Sequence, residues 1–145
     1  MRILMADDDS DDRQLFEKAL SETAYDISFQ GFESGQELLD YLFAVKDDEL
    51  PNILFLDLNM PGIHGLDILQ EIRKERRFVN VGIAIYSTSK REKDMISSLA
   101  YGANCYIVKP IDFSHLRRIL MHVLSINLQF QESGLDMETF VISVE

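Results

Sequence analysis

The chain has 145 residues, of which 46% are hydrophobic, and its formal net charge is −11. This length fits one domain, and about 68–70% of the surface of an unfolded chain of this size can be buried on folding. The acidic charge opposes the phosphate neutralisation on which nucleic-acid binding depends, so direct binding of DNA or RNA is disfavoured.

Five short apolar runs alternate with five stretches of helical periodicity. This alternation predicts strand-helix units on a parallel sheet, with helices on both faces. The predicted strands are residues 3–6, 26–32, 53–56, 82–86 and 105–108. Polar and apolar residues alternate in the second strand, which is typical of a sheet edge. The third consists of four consecutive apolar residues, which is typical of a central strand buried on both faces.

Apolar residues at helical spacing predict a helix after each strand. Ser34 and Glu37 have the spacing of a capping box and predict the start of the second helix. Ser89 and Glu92 repeat that spacing before the fourth helix. Gly102 is expected to end the fourth helix in the left-handed conformation.

The pattern changes after the fifth helix. Residues 125–145 contain no Lys or Arg, and an apolar run lies at 140–144. Because such a run is costly to leave in water, we expect it to dock on the domain or on a partner, such as a second copy of the chain. We therefore assign residues 1–126 to one domain and 127–145 to a C-terminal extension.

The cysteine content and the apolar runs bear on the compartment. Cys105 has no second cysteine with which to form a disulfide, and no Cys/His cluster provides a zinc site. No apolar run approaches the roughly 18 residues that span a bilayer. We therefore predict a soluble cytoplasmic protein without membrane contact.

Polar residues follow the ends of four predicted strands. They are Asp7 and Asp8 after the first strand, Asp57 after the third, Ser87 after the fourth and Lys109 after the fifth. Ligands of open parallel sheets bind beyond the carboxyl ends of the strands. These side chains are therefore expected to meet at one edge of the sheet.

Three carboxylates in one cleft require protonation or a bound cation. Mg²⁺ prefers hard oxygen ligands, which suits Asp8, Asp57 and a backbone carbonyl near Asn59. One oxygen of Asp57 then remains free to attack phosphorus. Lys109 can neutralise the transferred group, and Ser87 can donate a hydrogen bond to it. The pattern predicts a site that forms an aspartyl phosphate.

The acidic residues also have a simpler structural interpretation. Five of the six residues 7–12 are Asp, and such a stretch usually forms a solvated turn and a helix start. That interpretation accounts for Asp9, Asp11 and Asp12. It accounts poorly for the preceding acid pair, which directly follows an apolar strand.

Lys109 and Ser87 have structural alternatives as well. Lys109 can be an ordinary surface lysine, although a cis bond to Pro110 would fix its direction. Thr88 and Ser89 are rival hydroxyls, and any of the three can cap the next helix.

Several short motifs occur in a fixed order. They are Asp7-Asp8, the stretch Leu56-Asp57-Leu58-Asn59-Met60-Pro61-Gly62, Gly65, Ser87, Gly102-Ala103 and Tyr106-Ile107-Val108-Lys109-Pro110. Each is common, but the whole set at these spacings is highly specific. Over residues 2–126 the sequence resembles the receiver domain of bacterial two-component response regulators.

The resemblance implies a flavodoxin-like, doubly wound sheet of five parallel strands in the order 2-1-3-4-5. It also implies that Asp57 is the phosphorylated residue and that magnesium binds Asp7, Asp8, Asp57 and the carbonyl of Asn59. Ser87 would be the switch hydroxyl, Tyr106 the switch aromatic and Lys109 the phosphoryl-binding lysine. In isolation, Tyr106 reads as a core residue. His64 departs from the family, which usually has an acidic or small residue there.

The implied function is that of a single-domain response regulator. A histidine kinase or a histidine phosphotransfer protein would donate a phosphoryl group to Asp57, and a downstream protein contact or a phosphorelay would carry the signal. The domain would catalyse its own phosphorylation and dephosphorylation without being a turnover enzyme. A second copy of the chain is one candidate partner, which would give a homodimer.

Two other classes remain open. A small-molecule phosphohydrolase with an aspartyl-phosphate intermediate would want a second carboxylate two residues after the nucleophile, where this chain has Asn59. A phosphorylation-independent binding module would keep only the fold. Loss of an acid or of the lysine would signal such a module, and none is lost.

Overall fold

The computed structural model describes residues 1–126 and 140–142. Its strands are β1 (Arg2–Ala6), β2 (Ser28–Phe32), β3 (Ile53–Leu56), β4 (Gly82–Ser87), β5 (Cys105–Val108) and β6 (Val141–Ile142). Its helices are α1 (Ser10–Ser21), α2 (Gly35–Ala44), α3 (Gly65–Arg73), α4 (Glu92–Ala100) and α5 (Phe113–Ser125). Two short 3-10 turns follow α2 and α3, at Asp47–Glu49 and Arg76–Phe78.

The strands form one parallel sheet in the order β2-β1-β3-β4-β5-β6. The predicted doubly wound α/β fold and the order 2-1-3-4-5 are confirmed. A sixth strand, which was not predicted, lies beside β5. The strand order reverses between β1 and β3, which is where open α/β sheets bind their ligands.

Most element boundaries agree with the prediction. β2 starts at Ser28, two residues later than expected, and it lies at the sheet edge as predicted. The Ser34 hydroxyl accepts a hydrogen bond from the backbone N–H of Glu37 at 3.2 Å, as the capping box predicts. Gly102 has a φ of +100°, the left-handed conformation that ends α4.

The second predicted capping box is wrong. The residue that caps α4 is Arg91, and its side chain makes no cap hydrogen bond. The Ser89 hydroxyl instead donates to the carboxylate of Asp94 at 2.6 Å. The same hydroxyl accepts from the backbone N–H of Arg91 at 3.2 Å, so it holds the residue before α4 instead of forming the predicted box with Glu92.

Two apolar clusters lie on opposite faces of the sheet. Leu54 and Leu56 of β3 belong to the cluster under α2, α3 and α4, whereas Ile53 and Phe55 belong to the cluster under α1 and α5. The period of two residues along a strand produces this alternation. All four side chains are buried, so β3 is central, as predicted. Within residues 1–126 and 140–142, no helix has the length and apolarity that crossing a bilayer requires.

The described part of the C-terminal extension packs on the β5 edge of the sheet. Val141 pairs with Tyr106, and Ile142 pairs with Ile107. Phe140 is fully buried, and its ring centroid lies 6.5 Å from that of Tyr106. Burial of this apolar run removes it from water, which is favourable. Residues 127–139 and 143–145 lie outside the described residues.

Gly65, the first residue of α3, touches the backbone beyond β3. A Cβ atom at Gly65 would lie 2.4 Å from the carbonyl oxygen of Asp57 and 2.6 Å from the Cα of Leu58. Neither atom can move without shifting the loop. We expect Gly65→Ala to lower the free energy of unfolding by about 1–3 kcal/mol, the usual cost of overpacking. Urea denaturation measures this change.

Gly62→Ala is the matched control in the same loop. Gly62 has a φ of +86°, but nothing lies within 4 Å of its added Cβ, so only conformational strain is expected. Wild-type stability of Gly65→Ala would contradict the steric argument.

Candidate functional site

The backbone ladder continues one residue past the strand ends and places the polar residues side by side. The backbone N–H of Asp7 donates to Phe32 at 3.0 Å, and that of Asp57 donates to Ala6 at 3.0 Å. The N–H of Lys109 donates to the carbonyl of Ser87 at 2.8 Å. The residues that follow β1, β3 and β5 therefore share one edge of the sheet.

Three carboxylates converge at this edge. One oxygen atom from each of Asp7, Asp8 and Asp57 lies within 4.8 Å of the other two. Asp7 and Asp57 are buried, whereas Asp8 is exposed. Backbone amides hold the two buried carboxylates, because Asp7 Oδ1 accepts from the N–H of Asp9 at 3.0 Å and Asp57 Oδ1 accepts from the N–H of Asn59 at 3.2 Å.

Lys109 reaches into this group of carboxylates. Its Nζ donates to Asp7 Oδ2 at 2.8 Å, to Asp12 Oδ2 at 2.8 Å and to Asp57 Oδ2 at 3.2 Å. An ammonium group has three protons, so these bonds use all of them. The ammonium also lies 5.4 Å from the ring centroid of Tyr86. The lysine side chain is only 9% exposed, so Lys109 is not an ordinary surface lysine.

Burial and ion pairing shift the ionisation of this group. Burial raises the pKa of Asp7 to about 6, although the hydrogen bond from Lys109 acts in the opposite direction. Burial alone would lower the pKa of Lys109, but its hydrogen bonds to Asp12 and Asp7 outweigh burial and raise the pKa. Lys109 is therefore a permanent cation. Ionisation of the buried Asp7 carboxyl, in contrast, costs free energy.

Asp12 is a partner of Lys109 that the sequence analysis missed. The structural interpretation holds for Asp9, whose carboxylate caps α1 by accepting from the N–H groups of Asp11 and Asp12. It fails for the Asp12 side chain, which binds Lys109. The only signal in the sequence is its place in the first turn of the helix after β1, where side chains can turn back toward the strand ends.

Ser87 and Tyr106 both hydrogen-bond to Ser89, in the segment that follows β4. The buried Ser87 hydroxyl accepts from the backbone N–H of Ser89 at 3.2 Å. The fully buried Tyr106 donates from its hydroxyl to the carbonyl of Ser89 at 2.8 Å. Ser89 therefore links both residues, and its hydroxyl binds Asp94 in the first turn of α4. Sequence spacing carried no signal for this role of Ser89.

Two further predicted features have structural outcomes. His64 is the N-cap of α3, where its Nδ1 accepts from the N–H of Leu66 at 3.2 Å. The bond between Lys109 and Pro110, for which the sequence analysis considered a cis form, is trans, as is every peptide bond of the described residues. The three carboxylates fix the direction of the lysine instead.

The donor set fits a magnesium ion. Asp7, Asp8 and Asp57 supply hard oxygen atoms close to one another, and Mg²⁺ binds proteins through one or two carboxylates, waters and phosphate oxygens. Lys109 is the only cation that contacts these carboxylates within the described residues, so their negative charge exceeds the positive charge beside them. A divalent cation would relieve that excess.

Residues 3–121 match the response regulator receiver domain family. The chain belongs to this family. Among its relatives, the chemotaxis protein CheY1 of Helicobacter pylori is 33% identical over 127 residues, which are 88% of this chain and 99% of that protein.

Solved structures agree with this assignment. This receiver domain is similar to the phosphorylated cyanobacterial phytochrome response regulator RcpA, with a TM-score of 0.79, 27% identity, and coverage of 88% of this chain and 93% of that one. It is also similar to the Mg²⁺–BeF complex of response regulator TrrA from Thermotoga maritima. That comparison has a TM-score of 0.67 and 30% identity, and it covers 84% of this chain and 97% of that one.

Family membership establishes the general role of the protein. As a receiver domain it is a phosphoacceptor in two-component signalling, and a histidine kinase is its general class of partner. Receiver domains bind Mg²⁺, and the described residues include an acidic cluster that suits it, formed by Asp7, Asp8 and Asp57.

Proposed function

We propose that Asp57 accepts a phosphoryl group from phosphohistidine of a sensor kinase or a histidine phosphotransfer protein, in a reaction that depends on magnesium. The observation that supports this most is the ion-pair cluster, in which Lys109 Nζ lies 3.2 Å from Asp57 and 2.8 Å from Asp7. It supplies a carboxylate nucleophile, a fixed cation and oxygen ligands in one place.

In the proposed reaction, Asp57 forms the new P–O bond while the P–N bond of phosphohistidine breaks and the imidazole leaves. Asp7, Asp8, Asp57 and the carbonyl of Asn59 would hold the magnesium, which supplies positive charge when bound. Lys109 neutralises charge on the transferred phosphoryl group. The hydroxyl of Ser87 can donate to a phosphoryl oxygen while it still accepts from Ser89.

We further propose that Ser87 and Tyr106 form the switch. Phosphorylation replaces the single charge of the Asp57 carboxylate with about 1.5 to 2 negative charges on the phosphoryl group, which favours rotation of the Ser87 hydroxyl toward the new oxygens. The ring of Tyr106, which is buried, would fill the space that the Ser87 hydroxyl vacates. Both residues contact Ser89, which precedes α4 and binds its first turn, so movement at the site can reach the α4 surface.

The output, the division of the chain and the location remain predictions. Residues 1–126 would be the receiver domain, and residues 127–145 an extension that docks on it or on a partner. The signal would pass to a downstream protein, a second copy of the chain or a phosphorelay. A cytoplasmic location agrees with Cys105, which is a free, buried thiol.

Phosphorylation by a small phosphodonor tests the proposal. Incubation with acetyl phosphate and Mg²⁺ is expected to add the mass of one phosphoryl group, detected by intact-protein mass spectrometry. A chelator should prevent the addition, because the carboxylates then lack a neutralising cation. The product should lose its phosphoryl group to hydroxylamine, as an acyl phosphate does.

Two results would contradict this proposal. Unmodified protein under all conditions would favour a phosphorylation-independent binding module. Rapid release of phosphate from many sugar phosphates would favour a hydrolase. Such an enzyme would need a carboxylate two residues after the nucleophile, where this chain has Asn59.

A further inference from the structure

Asp12 differs from the other partners of Lys109 in its chemical surroundings. Asp7 and Asp57 lie in the group of three carboxylates that suits a metal ion. Asp12 lies outside that group, on the first turn of α1, with its side chain 33% exposed. Its bond to Lys109 Nζ, at 2.8 Å, is as short as that of Asp7.

The reaction would affect the three hydrogen bonds of Lys109, to Asp7, Asp12 and Asp57, to different extents. In the proposed cycle, Asp7 and Asp57 give oxygen atoms to a divalent cation, and Asp57 also becomes an acyl phosphate. The bound cation weakens the attraction of these carboxylates for an ammonium and itself repels Lys109, and the bond to the Asp57 carboxylate is lost when that group reacts. Asp12 keeps its full charge throughout, because neither change involves it.

We propose that Asp12 is a positioning residue, which holds Lys109 at the phosphorylation site when the metal-binding carboxylates are engaged. This inference rests on the proposed function. Without Asp12, the flexible four-carbon stem of Lys109 leaves the metal-loaded site for solvent. In the metal-free protein, Asp7 and Asp57 still hold the lysine, so Asp12 is dispensable there.

Phosphorylation kinetics give the first test. At saturating Mg²⁺, Asp12→Asn is expected to take up a phosphoryl group from acetyl phosphate about tenfold more slowly than wild type, the lower end of the usual loss when a supporting contact is removed. Asp12→Glu should recover most of the rate. Asp11→Asn is the matched control, since it removes the same charge from the same helical turn, and Asp11 is exposed.

A double-mutant cycle tests whether Asp12 acts through the lysine. In a Lys109→Met background, Asp12→Asn should slow the reaction no further, because the group that it positions is already gone. Independent, multiplicative losses would overturn the inference. An Asp12→Asn rate equal to that of Asp11→Asn would also overturn it.

Nitrogen-15 NMR of lysine ammonium groups gives a readout that does not depend on activity. The Lys109 signal, identified by its loss in Lys109→Met, should be protected from proton exchange in wild type with and without Mg²⁺. In Asp12→Asn it should be protected without Mg²⁺ and lost when Mg²⁺ is added. Persistence of the signal in Mg²⁺ would refute the role of Asp12. Absence of phosphorylation in wild type would instead refute the proposed function, and the NMR result would still decide the role of Asp12.

Discussion

Asp57→Asn is expected to take up no phosphoryl group from acetyl phosphate and Mg²⁺ under conditions that label the wild type fully. The amide keeps the shape of the side chain and can still accept from the N–H of Asn59, but it lacks the anionic oxygen that attacks phosphorus. Intact-protein mass spectrometry measures the loss. Asp67→Asn is the control, because Asp67 is an exposed acid in the first turn of α3.

The stability of Asp57→Asn separates chemistry from folding. Asp57 is buried beside Asp7, and Lys109 keeps its bonds to Asp7 and Asp12 in the variant. Removing one of several crowded negative charges should leave the free energy of unfolding unchanged or higher. Full labelling of a folded Asp57→Asn protein would assign the phosphoryl group to another residue.

Lys109→Met should slow phosphoryl uptake by on the order of 10²–10³, the usual effect of removing one group that stabilises charge in a transition state. It also leaves Asp7, Asp12 and Asp57 without the cation that bonds all three. The uptake rate is measured with acetyl phosphate and Mg²⁺. Lys93→Met, which removes an exposed lysine of α4, should react at the wild-type rate.

The stability of Lys109→Met should depend on pH in a defined direction. Burial raises the pKa of Asp7 to about 6 even beside Lys109, and loss of the lysine raises this pKa further. A raised carboxyl pKa gives stability that is present at acid pH and lost as the pH rises through that value. The variant should therefore be less stable than wild type at neutral pH and recover on acidification. An equal deficit at both pH values would contradict this account.

The sequence predicted the strands and helices well, because the patterns that define them depend only on neighbouring residues. The four apolar residues of β3 and the period of two that divides them between two clusters need no knowledge of distant contacts. The capping box at Ser34 and the left-handed Gly102 are also decided within a few residues. The same reasoning failed at Ser89, because its hydroxyl donates to the side chain of Asp94 and accepts from the N–H of Arg91, instead of accepting from the N–H of Glu92 as a capping box requires.

The meeting of Asp7, Asp57 and Lys109 followed from a topological rule. Once the strands are parallel and adjacent, the residues that follow them share an edge of the sheet. That rule says nothing about helix residues, which is why Asp12 was assigned to a solvated turn. The orientation of α1 against the sheet decides that Asp12 faces Lys109.

The amino-acid sequence by itself determined the family, the strand order of the central sheet and the acidic and basic residues at its carboxyl edge. The tertiary structure alone decided which carboxylates share the three protons of Lys109, and that the described part of the apolar tail forms a sixth strand beside Tyr106. The physical reason is the separation along the chain over which each kind of interaction acts. Hydrophobic periodicity and capping act over a few residues, whereas the bond between Asp12 and Lys109 joins positions 97 residues apart and exists only after the helices have packed.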